Sequence, residues 1–75
     1  MPDVMEINGG DISCVHFVQD DFYEVYISRY GEMDRYSFDS IDEMESYLKD
    51  FYDFTDEMIQ EFKSIIVENT NDNVL

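Results

Sequence analysis

The chain has 75 residues, 44% of them hydrophobic, and sets 19 aspartates and glutamates against 4 lysines and arginines, for a formal net charge of −15. That length supports one domain at most, spanning 1–75. So negative a surface excludes binding to nucleic-acid backbones and to anionic membranes, which would repel it.

Charge of this density favours disorder unless enough apolar surface can be buried. Six Phe and six Tyr, with Ile, Val, Leu and Met between them, supply that surface, because each aromatic side chain removes roughly 150–250 Å² from water. Residues 1–11 are polar and end in Gly9-Gly10-Asp11. They read as a loose lead-in with a turn, with room for a short strand near Val4–Ile7. Neither a basic leader nor an apolar signal segment is present in them. Ile12–Val18 is β-branched and apolar enough for a strand, and Gln19-Asp20-Asp21 makes a polar turn. Phe22–Tyr30 alternates, with Tyr23, Val25 and Ile27 on one side and Glu24, Tyr26, Ser28 and Tyr30 on the other. Gly31-Glu32-Met33-Asp34 is the next turn and Arg35–Phe38 a short third strand.

Ser40-Ile41-Asp42-Glu43 has the S-x-x-E form of a capping box and predicts a helix start. Ile41, Met44, Leu48 and Phe51 recur at helical spacing up to Asp53-Phe54. Thr55 caps a second helix with Asp56 and Glu57 in its first turn. Its apolar face is Met58, Ile59, Phe62, Ile65 and Ile66. Residues 69–75 read as a flexible tail. Strands followed by helices give an α+β fold: a three-stranded antiparallel β-meander with two short helices packed on one face.

Catalytic chemistry has little to draw on. Cys14 is the single cysteine, which suits a reducing cytoplasm and permits no internal disulfide. Cys14 and His16 share a strand face but have no orienting third group, and they read as ordinary half-buried strand residues. Asp50, Asp53 and Asp56 are spaced by three and lack the glycine of a calcium loop. No phosphate-binding, nucleophile-elbow or zinc-protease motif occurs, and no apolar run reaches the roughly 20 residues that span a bilayer. The expectation is therefore no enzyme, no metal and no cofactor.

The acidic array remains. Asp20, Asp21 and Glu24 fall on the first hairpin, Glu32 and Asp34 around the second turn. Asp42, Glu45, Asp50 and Asp53 fall on the first helix and its end, Asp56 and Glu57 on the second. Helix neighbours at i, i+3 and i, i+4 stand about 5–6 Å apart, so carboxylates on adjoining elements approach the charge density of a phosphate track. The bland alternative is a solvated coat, but this charge lies well beyond the usual solubility range of about 2–8. Tyr26 and Tyr30 lie on the strand face turned from the core. Tyrosine beside carboxylate suits recognition of arginine by cation–π contact and ion pairing together.

In small size, extreme acidity, abundant Tyr and Phe and α+β pattern, the chain resembles the small acidic inhibitors of bacteriophages and other mobile elements, including DNA mimics and anti-CRISPR proteins. The resemblance rests on no shared motif. It implies a phage protein, acting in the host bacterial cytoplasm, that occupies the nucleic-acid-binding surface of a defence enzyme such as a CRISPR effector. The expected partner is a basic nucleic-acid-binding protein, not nucleic acid itself and not a membrane, met by a monomer or homodimer. The other reading is an acidic adaptor or accessory subunit that binds a basic protein without competing with nucleic acid.

Overall fold

The computed structural model describes residues 3–70. Its elements are β1 (Met5–Ile7), β2 (Gly10–Phe17), β3 (Phe22–Arg29), β4 (Glu32–Phe38), α1 (Ile41–Tyr52), α2 (Asp56–Ser64) and β5 (Val67–Asn69). The α+β character and the antiparallel meander are as expected, but the sheet has five strands rather than three.

Both added strands pair with β2. β1 is antiparallel to it, with Met5 opposite Ile12 and Ile7 opposite Gly10. The expected loose lead-in is thus ordered from Met5. Its turn is Asn8-Gly9, with Gly9 at φ 91°, and asparagine–glycine between apolar residues is a strong hairpin signal. β5 returns from α2 and runs parallel to β2, with Val15 opposite Val67 and Phe17 opposite Asn69. The Val18 amide donates to the Asn69 carbonyl at 3.1 Å. One edge of β2 is therefore shared between β1 at residues 10–12 and β5 at residues 15–17. Asn69, expected in the tail, closes that edge; the rest of the predicted tail beyond Thr70 lies outside the described residues.

The β3–β4 turn is also tighter than expected. Tyr30 (φ 52°) and Gly31 (φ 81°) form a two-residue loop, both at positive φ, the condition a type I′ hairpin imposes. Strand pairing then resumes at once, Arg29 opposite Glu32. Glu32, Met33 and Asp34 belong to β4 rather than to a turn. Tyr30 accordingly leaves the strand face it was expected to share with Tyr26.

Ser40 Oγ accepts from the Glu43 amide at 3.2 Å and Thr55 Oγ1 from the Met58 amide at 3.1 Å, so both predicted helix starts are formed. α1 stops at Asp53, which takes the left-handed conformation (φ 57°) as C-cap. α2 ends at Ser64, and Ile65 and Ile66 pack on the core from the segment that leads into β5.

The core joins Met5, Ile12, Cys14, Val25 and Ile27 of the sheet to Met44, Leu48, Phe54, Ile59 and Phe62 of the helical layer. Phe54 and Phe62 meet edge to face at 6.1 Å. No polar or charged residue is buried among the described residues. None of the carboxylates there is buried; Glu24 and Glu45 are partly covered and the others are exposed. Both helices lie on one side of the sheet, as expected, and the opposite side is open.

Candidate functional site

Acidic residues occur on both layers, eight of the nineteen in residues 41–64 and eleven outside them. Residues 41–64 also carry two lysines. Each lysine bridges the helices: Lys49 Nζ lies 2.7 Å from Asp56, and Lys63 Nζ lies 2.6 Å from Glu45. The Lys49 ammonium holds the Asp56 carboxyl below its ordinary range, chiefly through their hydrogen bond and then through charge. Asp42, Glu43, Asp50, Asp53, Glu57 and Glu61 have no basic partner among the described residues, and all six are exposed.

The two arginines are also engaged. Arg29 lies 4.9 Å from the Tyr52 ring centroid and 5.5 Å from that of Tyr30, a position in which a guanidinium gains from both ring faces. Arg35 Nε lies 3.6 Å from Glu24 Oε2 on the open sheet face. All four basic side chains of the chain are thus occupied by its own groups, and the remaining negative charge is uncompensated.

The thirteen residues expected to bind a partner do not share one surface. Asp42, Glu45, Asp50, Asp53, Asp56 and Glu57 are brought together on the helical layer. Asp20 and Asp21 sit in the β2–β3 turn, where Asp21 Oδ1 lies 3.3 Å from His16 Nε2. Glu24 and Tyr26 are on the open sheet face, on the far side of the sheet from the helices. There the Tyr26 hydroxyl donates to Glu24; that hydrogen bond, with burial second, raises the phenol pKa above its ordinary value. Glu32 and Asp34 lie on β4. Tyr30, 71% exposed, stands at the β3–β4 turn with its ring over Gly9. A single rigid partner facing the helices would meet the first group and miss Glu24 and Tyr26.

Sequence reasoning missed an aromatic shelf on the β4 side of α1. Tyr47 lies 5.0 Å from Tyr36, 5.4 Å from Phe38 and 4.7 Å from Phe51, ring centre to ring centre. Phe51 was expected in the core stripe, yet it is 68% exposed. Spacing alone gave little signal, since buried Met44 lies only about 20° from Phe51 around α1. At 3.6 residues per turn Phe51 points roughly 60° away from Leu48, and Tyr47 a further step in the same direction.

Cys14 and His16 form no reactive pair. Cys14 is fully buried, its Sγ 3.8 Å from the Met44 sulfur, and burial pushes its thiol up to about 12, far from the thiolate that nucleophilic chemistry requires. His16 stacks on Tyr23 at 4.2 Å. Among the described residues no cluster of three or more His, Cys, Asp or Glu is arranged to hold a metal ion, and no helix is long and apolar enough to cross a membrane. No protein-family profile, curated protein or solved structure matches this chain.

Proposed function

We propose that this protein is a non-enzymatic inhibitor that binds a basic nucleic-acid-binding protein and blocks its nucleic-acid groove, with the helical carboxylates standing where phosphates would. One observation carries this reading: every basic side chain is spent on the protein's own groups, while six exposed carboxylates of α1, α2 and their junction are left without a counter-charge. Like charges held close on a small scaffold destabilise it. A cationic partner relieves that repulsion, so binding energy is available where folding energy was lost. The lysine bridges tie the two helices together and keep the charges in a fixed arrangement.

A second reading, an acidic adaptor that does not compete with nucleic acid, is favoured by the open sheet face. There Val15, Phe17, Phe22 and Val67 stand without a covering layer, Phe17 and Phe22 stacked at 4.8 Å. Competition separates the two. The protein is immobilised, a bacterial lysate is passed over it at low salt, and excess duplex DNA or RNA is then applied. Inhibition by mimicry requires that captured proteins be released by the nucleic acid and that retention fall with added salt. Retention that ignores excess nucleic acid refutes mimicry and supports the adaptor.

A further inference from the structure

The sheet ends in an unprotected edge. Among the described residues β4 pairs with β3 alone, so its outer row of backbone donors and acceptors is free for another strand. Over that edge hangs the aromatic shelf of Tyr47 and Phe51. Phe38, Asp42, Glu43, Ser46 and Tyr47 line a shallow groove of about 480 Å³ beside it. Asp34, Tyr36 and Phe38 alternate along β4 on the same side as the helices, so a strand added there would send every second side chain toward the rings and the carboxylates.

The charges on this edge select the occupant. A second copy pairing antiparallel along the whole of β4 would set Arg35 opposite Arg35, and a register shifted toward Glu32 would set Glu32 and Asp34 opposite one another. Like charges placed opposite one another across strands are destabilising. An extended segment with arginine at alternate positions meets the opposite situation. Its guanidinium lies flat on Tyr47 or Phe38 and pairs with Asp42 or Glu43, two contacts that lysine makes less well, while its backbone completes the ladder.

We propose that the free edge of β4 takes up an extended, arginine-bearing segment of the basic partner as an added strand, with an arginine seated in the Phe38–Tyr47 groove. This rests on the reading above that the partner is basic, and it names the part of the partner and the face that receives it.

The test uses the whole protein and a synthetic peptide of alternating arginine and valine, matched to the seven residues of β4, with a glutamate–valine peptide as control. Binding is followed by amide hydrogen exchange and by NMR shifts at about 0.15 M salt. The arginine peptide is expected to protect amides of residues 32–38 and to move the Tyr47 and Phe51 rings, and the control to do neither. Asp42→Asn with Glu43→Gln, two exposed groove carboxylates, should weaken the peptide at least about two- to fivefold while amide protection of the core strands is kept. Shifts confined to α1 and α2 with unaltered β4 amides, or undiminished binding by the Asp42→Asn, Glu43→Gln protein, would overturn the edge site even if nucleic-acid competition succeeds. Protection of β4 with failed competition would keep the edge site and remove the mimicry.

Discussion

The binding array depends on α2 staying folded, and α2 has only nine residues, too few to be helical on its own. Two buried side chains hold it to the sheet: Ile59 and Phe62, 2% and 0% exposed. Phe62→Ala removes the larger of them and the edge-to-face contact with Phe54. Truncations of this kind cost about 3–5 kcal/mol. A chain of 75 residues has a total stability of roughly 4–11 kcal/mol, so the variant loses about a quarter or more of it. For a domain of this size each kcal/mol moves Tm by roughly 4–8 °C, and the expected drop is at least about 12 °C. Urea unfolding followed by far-UV circular dichroism and tyrosine fluorescence measures the loss. Partner binding should weaken in step with the fraction unfolded, because Glu57 and Glu61 lose their fixed positions. A loss below about 1 kcal/mol would refute the packing argument. Full binding by a largely unfolded variant would show that an ordered scaffold is not required.

Other perturbations test separate parts of the structure. Burial raises the Cys14 thiol from 9.0 to about 12, so the unfolded chain ionises first: the stability contributed is intact below pH 9 and is lost as pH rises from 9 toward 12. The Cys14→Ala protein should lose less over that window, where Tyr23 and Tyr26, also raised, act in the same direction; identical pH profiles for the two proteins would contradict a buried thiol. At Gly10 an added methyl would lie 1.7 Å from the Ser28 carbonyl oxygen, which is backbone and cannot swing away. Gly10→Ala should therefore cost at least about 2 kcal/mol in urea titration, and a near-neutral effect would be inconsistent with the Gly10–Arg29 register. Finally, salt screens the repulsion of a −15 chain more than it weakens two exposed lysine bridges. Tm should rise between about 0.02 and 0.5 M NaCl, across which the Debye length falls severalfold; a falling Tm would mean that the bridges outweigh the repulsion.

Much of the fold follows from local patterns. Alternation in Phe22–Ile27 placed Val25 and Ile27 in the core, and Ser40 and Thr55 marked both helix starts, because period and capping act within a few residues. The left-handed pair Tyr30-Gly31 was obscured by the carboxylates after it. Glu32 and Asp34 look like turn residues, yet in a β4 edge strand they are tolerated with their side chains in water. β5 was illegible for a different reason. Three residues with no alternation form a strand only because β1 leaves residues 15–17 of β2 unpaired.

The amino-acid sequence by itself determined that this protein is a small α+β body with a large excess of negative charge, since composition sets charge and periodicity sets which faces are apolar. Only the tertiary structure decided how that charge is divided. Packing both helices on one side of the sheet turned the helical carboxylates outward and sent Glu24 and Tyr26 to the far face. Folding α1 back beside β4 assembled Phe38, Tyr47 and Phe51 into one shelf over a free edge. Those are relations between elements rather than within them, and they exist only once burial has chosen which faces meet.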